Sequence, residues 1–168
     1  GFDPRSSTVH WRFAEPSGRQ IVLEIIDGKC VFYENKLGVL TNSPSFDWQL
    51  TNLNNYVNLM PGRTEPHTIG NMSLSSFGGG SAMIGLPGDF TPPSRFVRAA
   101  FFQSTAPQKP DAEGSVFTAF HILGSMEIPI GAQFPVDETP ADIPSATQCT
   151  CVTDMSGLRF YYRSMYDG

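Results

Sequence analysis

The stretch VLTNSPSFDWQLTNLNNYVNL, residues 39–59, changes from the pattern of a strand to the pattern of a helix. The apolar run at 38–41 predicts a short strand. Pro44 ends it, because a proline cannot donate to a sheet ladder and disfavours helical geometry in the residue before it. From Ser45 onward the apolar residues recur at steps of three and four, which predicts one face of a helix. The residues on this face are Phe46, Leu50, Leu53, Tyr56 and Val57.

Asn42 lies at the corner between the predicted strand and the predicted helix. Ser45 is the predicted N-cap, and Asp47 in the first turn is favoured by the helix dipole. Side chains at such corners often face a binding site rather than the core. By local pattern alone, however, an asparagine before Ser43-Pro44 is more commonly a turn-forming residue.

The residues before this corner predict an antiparallel meander. Strand-like runs lie at 9–13, 21–26 and 29–33, and the run before Pro44 adds a possible fourth strand. Asp27-Gly28 separates two of these runs, which is a strong signal for a two-residue hairpin turn.

The residues after the corner predict loops and two helices. Residues 60–80 are irregular, with one helical turn predicted at 72–77. A helix is predicted at 92–102, capped by Thr91, and another at 115–125. The residues predicted for the buried side of the second helix are Phe117, Phe120, His121 and Leu123.

The chain ends in a predicted hairpin, with strands at 147–153 and 158–164 around a loop at 154–157. Strands are thus grouped apart from helices, which predicts an α+β fold rather than a doubly wound parallel sheet. The length of 168 residues fits one domain spanning 1–168. Because the first residue is Gly1 rather than Met, we expect this chain to be processed, tagged or cut from something longer.

Composition argues against several classes of partner. The net charge is −5 and the 11 lysines and arginines are scattered, so no nucleic-acid partner is expected. No apolar run approaches the roughly 20 residues of a membrane helix, so no membrane partner is expected. The glycines at 78–80 lack the Lys-Ser/Thr of a P-loop, so they predict a flexible loop rather than a nucleotide site.

Histidines and cysteines predict no metal or cofactor. His10, His67 and His121 are far apart and show no ligand spacing; His121 is predicted to be a satisfied core residue. Cys149 and Cys151 share one strand face but are poorly placed to bridge each other. We expect these two and Cys30 to be buried or half-buried small side chains. A disulfide from Cys30 to either of them, or to a segment outside this chain, remains open.

Two motifs carry a resemblance to a known family. The corner stretch resembles the V-L-T-N-x-P-x-F-D-W/Y-Q-L-x-N-L-x-N-Y run of the choloylglycine hydrolase and penicillin V acylase family. Residues 85–102, GLPGDFTPPSRFVRAAFF, resemble its G-L-P-G-D-x-[ST]-x-P-S-R-F-x-R pattern. The spacing between Asn42 and Arg95 also agrees with that family. The resemblance covers nearly the whole chain, but only the C-terminal half of a family member.

The resemblance implies the C-terminal half of the αββα sandwich of N-terminal nucleophile hydrolases, with antiparallel strands and two or three helices. In that family an N-terminal cysteine attacks a linear amide, and its own α-amino group acts as the base. No cysteine precedes Cys30 in this chain, so the nucleophile is absent from it.

Two site residues follow from the resemblance. Asn42 is similar to the oxyanion-hole asparagine, whose amide donates to the developing negative charge. Arg95 is similar to the arginine near the nucleophile, where a positive charge favours thiolate; without the resemblance it would be a solvent-facing helix residue. Arg98 matches no catalytic position, and Asp89 is expected to brace the loop before the helix.

The predicted function is therefore a part of a cysteine amidase of penicillin V acylase or bile salt hydrolase type, inactive by itself. The expected partners are a small amide substrate, the N-terminal half or a second chain covering exposed apolar strand faces, and further copies in a homo-oligomer when intact. Periplasmic or secreted localisation is expected, with the cytoplasm as the alternative. The competing hypothesis is a non-catalytic half-domain that only binds or assembles.

Overall fold

The computed structural model describes residues 9–134, 138 and 146–164. Within these residues the fold is α+β, as predicted, with antiparallel strands and three α-helices. The strands are β1 (Trp11–Ala14), β2 (Gln20–Ile26), β3 (Lys29–Glu34), β4 (His67–Ile69), β5 (Met72–Leu74), β6 (Cys149–Asp154) and β7 (Arg159–Ser164). The α-helices are α1 (Phe46–Asn52), α2 (Pro92–Thr105) and α3 (Ala112–Gly124), and short 3-10 helices span Leu53–Tyr56 and Ser81–Met83.

The first sheet is the predicted meander, in the order β1-β2-β3. Ile26 pairs with Lys29 across a two-residue turn, and Asp27 and Gly28 both have positive φ, at 50° and 75°. Two successive residues with positive φ match the right-handed twist of the flanking strands. The hairpin prediction from Asp27-Gly28 is thus confirmed.

The predicted strand at 38–41 is wrong. Asn35 is buried and its side-chain amide takes the place of a ladder partner: Nδ2 donates to the Val39 carbonyl at 3.0 Å, and Oδ1 accepts from the Gly38 N–H at 2.8 Å. Gly38 has a φ of 67°, and a Cβ there would lie 2.5 Å from the Gln103 amide nitrogen. The segment is therefore a side-chain-braced loop packed against α2.

Helix α1 begins where the periodicity predicts, but Ser45 does not cap it. The Ser45 hydroxyl donates to the Asp47 carboxylate at 2.5 Å, and its oxygen accepts no capping bond from the helix N-terminus. The Phe46 N–H instead donates to Glu24 Oε1 of β2 at 2.9 Å. A carboxylate from the sheet thus satisfies a main-chain donor that the helix itself cannot.

The core lies between the inner face of the first sheet and helices α1 and α2. Val22, Phe46 and Phe96 are almost fully buried. The Phe46 ring lies 5.6 Å from Tyr33 and 6.0 Å from Phe96, the second pair edge to face. This packing fixes α1 and α2 against the same sheet and so determines how the corner at Asn42 meets the start of α2.

The predicted helical turn at 72–77 is wrong, because Met72–Leu74 pairs with β4 as a small hairpin. Gly70, with a φ of 58°, occupies the first central position of its two-residue turn, where glycine is favoured. This local turn chemistry outweighs the weak helical spacing of the residues that follow.

Helix α3 begins three residues earlier than predicted, because Asp111 caps it by accepting from the Gly114 N–H at 2.7 Å. The predicted buried side is wrong for Phe117, which is 60% exposed, and for His121, which is also exposed. Val116 is the buried residue instead, because this helix is apolar on several sides and packs against β6 through a different one.

The final hairpin is confirmed, with a four-residue loop that starts one residue later than predicted, after Asp154. Between α3 and β6 the sequence predicts loops at 129–144, and part of that range lies outside the described residues. No helix in the described part of the chain is both long and apolar enough to cross a membrane.

The outer faces of the strands expose aromatic side chains. Trp11, Leu23 and Phe32 lie in one row across the first sheet, and Phe13 and Phe32 are 52% and 63% exposed. On the outer face of the final hairpin, Phe160 and Tyr162 are similarly exposed. Apolar strand faces are thus exposed, as expected for this chain alone.

The prediction that the three cysteines are buried is wrong. Cys30, Cys149 and Cys151 are free and exposed, because each lies on an outer strand face. The alternative of a disulfide from Cys30 to Cys149 or Cys151 is not formed in this structure.

Candidate functional site

The structure brings the two predicted site residues into direct contact. Arg95 Nη2 donates to Asn42 Oδ1 at 2.7 Å, although the two residues are 53 positions apart in sequence. Asn42 is exposed and Arg95 is half-buried, so the pair lies at the surface of the described fold, with Arg95 partly shielded from solvent. Neither side chain is engaged in a separate contact that would keep the two apart.

The main chain of the Asn42 corner is held from two directions. Gln49 of α1 is 2% exposed, and its Nε2 donates to the Asn42 carbonyl at 3.4 Å. The neighbouring Thr41 donates its hydroxyl to the Pro92 carbonyl at 3.1 Å, which ties the corner to the first turn of α2. The corner is therefore fixed relative to both helices that contribute to the site.

Arg95 reaches Asn42 from the second turn of α2. Its Nε donates to the Phe90 carbonyl at 3.0 Å, so two of its donors meet neutral oxygens rather than a carboxylate. Burial, and secondarily the nearby charge of Arg98, lower the pKa of Arg95 from its ordinary value. An arginine nevertheless keeps its proton in proteins, so the site holds a positive charge that is not paired with a carboxylate of any described residue.

The contact with Arg95 sets the orientation of the Asn42 amide. Arginine can only donate hydrogen bonds, so the atom of Asn42 that faces it must be the oxygen. The Asn42 Nδ2 group then points away from Arg95, and no described residue accepts a hydrogen bond from it. The geometry therefore presents two neutral N–H donors beside a fixed positive charge, which suits an oxygen that becomes negative.

The loop before α2 is braced by Asp89, as predicted. Its carboxylate accepts from the Ser94 hydroxyl at 2.6 Å and from the Thr91 main chain and hydroxyl at 2.9 Å and 2.5 Å. These hydrogen bonds, that from Ser94 first, lower the pKa of Asp89 to about 2. The predicted cap Thr91 is thus a donor to Asp89, and its side chain makes no capping bond to the helix.

Sequence reasoning missed two residues that support the site. Glu24, which caps α1, is 3% exposed and also lies 2.5 Å from His10 Nδ1. Gln49 holds the corner from the buried face of the same helix. The sequence contains a signal for both residues, because each is a polar residue at a position that the apolar pattern assigns to the core. Buried polar groups need hydrogen-bond partners.

The remaining polar candidates make local contacts. Asn54 and Asn55 donate within the helical segment, to the Thr51 carbonyl and the Asn52 side chain. Within the described ranges, no three histidine, cysteine or acidic side chains are grouped so that they could hold a metal ion.

Comparison with known proteins gives one family. The model of the linear amide C–N hydrolases, choloylglycine hydrolase family, matches residues 3–168. The chain is 36% identical over 156 residues to the bile salt hydrolase/transferase of Clostridium perfringens, across 93% of this chain and 46% of that protein. It is 30% identical over 175 residues to the penicillin V acylase of Pectobacterium atrosepticum, across 95% of this chain and 39% of that protein. The chain thus spans less than half the length of these curated relatives.

The fold agrees with this relationship. A crystal structure of a variant of the Clostridium perfringens conjugated bile acid hydrolase superposes with a TM-score of 0.80 at 35% identity, across 93% of this chain and 46% of that chain. The α+β fold described above therefore corresponds to about half of that hydrolase, and the resemblance seen in the two motifs is confirmed. The chain belongs to the choloylglycine hydrolase family of linear amide C–N hydrolases.

Proposed function

We propose that this chain is the C-terminal part of a cysteine N-terminal nucleophile hydrolase that cleaves linear amides of the conjugated bile salt or penicillin V type. The observation that supports it most is the contact between Arg95 and Asn42, which leaves the Asn42 Nδ2 group free to donate to an oxyanion. Removing one such donor from an amidase typically lowers kcat about 10²- to 10³-fold.

In this proposal Arg95 has two tasks. It fixes the Asn42 amide, and its charge favours the thiolate form of a cysteine brought beside it, because no described carboxylate pairs with it. That cysteine comes from outside the chain, since none precedes Cys30 and Cys30 is on the outer face of β3. No residue of the chain is assigned the nucleophile's role.

We propose that the nucleophilic cysteine comes from an N-terminal half that covers the exposed strand faces. The row formed by Trp11, Leu23 and Phe32 is an apolar surface of the kind that a partner layer buries. Residues 1–168 would then be one part of a four-layer αββα domain. We further propose that the intact protein is a homo-oligomer exported to the periplasm or secreted.

The test compares the chain with the complete enzyme, meaning this chain joined to or co-expressed with an N-terminal half that begins with cysteine. Glycocholate and penicillin V are the two probes, and released glycine or 6-aminopenicillanic acid is the readout. We expect the complete enzyme to hydrolyse one of them and the chain alone to hydrolyse neither. Hydrolysis by the chain alone, at a rate abolished by Asn42→Ala, would contradict the proposal.

The second candidate function is a non-catalytic half-domain that only binds or assembles. The observation that favours it is the exposed apolar surface of the first sheet, where Phe13 and Phe32 are 52% and 63% exposed. It predicts that adding a cysteine-bearing N-terminal half yields a folded complex with no activity on either probe. The same experiment therefore separates the two functions.

A further inference from the structure

Arg98 is a buried cation whose hydrogen bonds go only to main-chain carbonyls. It is 6% exposed, and its Nη1 donates to the Pro87 carbonyl at 2.7 Å and to the Asp89 carbonyl at 2.6 Å. Its guanidinium carbon lies 5.9 Å from the centre of the Phe90 ring. Arg98 therefore contacts three residues of the loop at 87–90, all on the N-terminal side of the peptide that carries the Phe90 carbonyl.

These contacts connect Arg98 to the site through a short series of hydrogen bonds. The Phe90 carbonyl accepts from Arg95 Nε at 3.0 Å, and Arg95 Nη2 donates to Asn42 Oδ1 at 2.7 Å. Arg98 makes no hydrogen bond to Asn42 or to Arg95 within the described residues. Apart from the effect of its charge on Arg95, Arg98 is connected to Asn42 by hydrogen bonds that run through the loop at 87–90.

The energetics argue against Arg98 as an ordinary packing residue. Taking a guanidinium out of water is costly unless its donors are satisfied, and Arg98 Nη2 is buried without a hydrogen-bond partner among the described residues. An apolar side chain of similar size would fill the same space without that cost. What an apolar side chain cannot do is donate to the main-chain carbonyls of Pro87 and Asp89 in this loop.

We propose that Arg98 is a positioning residue for the oxyanion-hole donor: it fixes the loop at 87–90 so that the Phe90 carbonyl holds Arg95 and Arg95 orients the Asn42 amide. The inference rests on the proposed function, because it assigns a task within that same site. Arg98 is not a catalytic residue, since it is separated from Asn42 by the loop and by Arg95.

The test is a double-mutant cycle in the complete enzyme, combining Arg98→Met with Asn42→Ala and assaying glycocholate and penicillin V. Displacing a reacting group by about 1 Å can cost up to roughly 10²-fold, so we expect Arg98→Met to lower kcat about 10- to 100-fold with KM within about twofold. If Arg98 acts through Asn42, the same change in the Asn42→Ala background should lower kcat less than about twofold further.

Arg163→Met is the matched control, because Arg163 also lies beside an aromatic ring but donates to Glu127 at another place in the fold. It should leave kcat unchanged in both backgrounds. If Arg98→Met does not accumulate as folded protein, the cycle is run with Arg98→Lys, which keeps the charge but lacks the planar fork that binds two carbonyls.

The outcomes separate the two proposals. Equal loss of kcat from the Arg98 change in both backgrounds, or no loss in either, would overturn the positioning role while leaving the proposed function intact. If Asn42→Ala retains the wild-type kcat, Asn42 is not an oxyanion-hole donor and the proposed function is contradicted.

Discussion

Arg95 and Arg163 both donate to another side chain, but the two acceptors differ in charge. Arg95 meets the neutral oxygens of Asn42 and Phe90, whereas Arg163 donates to the Glu127 carboxylate, which also accepts from Thr150. Within the described residues, a carboxylate neutralises the charge of Arg163 but none neutralises that of Arg95, which is therefore available to another group. An arginine without a paired carboxylate is suited to an anion that binds or forms during a reaction.

The largest expected difference between the region of Arg95 and the region of Arg163 is in catalysis. In the complete enzyme, Asn42→Ala removes the donor that the Arg95 contact orients, and we expect kcat to fall about 10²- to 10³-fold, or roughly 2.7–4 kcal/mol of transition-state stabilisation. Steady-state kinetics on glycocholate and penicillin V measure it. Asn54→Ala is the matched control, because that amide bonds only within its own helical segment. Equal kcat values for the two variants would show that the Asn42 amide has no role in the reaction beyond that of an ordinary exposed asparagine.

A smaller effect is expected on stability where the sheet supports α1. Glu24→Ala removes the acceptor of the Phe46 N–H and leaves a buried donor unsatisfied, so we expect about 1–3 kcal/mol loss in the free energy of unfolding. Urea unfolding measures the loss, and amide hydrogen exchange should show it in α1 before α3.

Glu34→Ala is the control for that change, because its carboxylate is exposed and lies 3.8 Å from Lys36. An exposed pair of this kind is worth about 0–1 kcal/mol. If Glu24→Ala is no more destabilising than Glu34→Ala, or if exchange increases equally in α3, Glu24 is not the specific support of the Asn42 corner.

The loop before α2 should give the site region a pH dependence at low pH. The pKa of Asp89 is about 2 in the folded chain, below its ordinary 3.8, chiefly because of the hydrogen bond from Ser94. The folded state thus favours the charged form, so this contribution to stability is complete above about pH 4 and is lost as the pH falls through 2. Asp89→Asn should flatten the change in unfolding temperature between pH 4 and pH 2. An unchanged profile would show that these hydrogen bonds do not stabilise the carboxylate.

Local patterns in the sequence predicted the elements whose causes are local. Asp27-Gly28 determines its own hairpin through backbone conformation, and the proline at the start of α2 marks that helix. The motif match, rather than periodicity, identified Asn42 and Arg95 as a pair. These predictions required no knowledge of which elements pack together.

The predictions that failed concern features that are determined by contacts with residues distant in sequence. The segment at 38–41 is not a strand because Asn35 takes its hydrogen bonds, and α1 is capped by Glu24, 22 positions before Phe46. Likewise α3 is apolar on several sides, so only its packing against β6 decides that Val116 rather than Phe117 is buried. The orientation of the Asn42 amide is likewise determined by a residue distant in sequence, since it depends on Arg95 of α2.

The smallest expected effect is at the neutralised arginine. Arg163→Met breaks the pair with Glu127, but both side chains are more than a third exposed, so we expect a loss of only about 0–1 kcal/mol in the free energy of unfolding. The stem of the methionine can still pack on Phe120, which limits the loss further. Urea unfolding and steady-state kinetics are both needed, because the comparison requires a small change in stability together with an unchanged kcat. A fall in kcat comparable to that of Asn42→Ala would mean that the α3–β7 region also contributes to the site, and that pairing with a carboxylate does not separate structural from functional arginines in this fold.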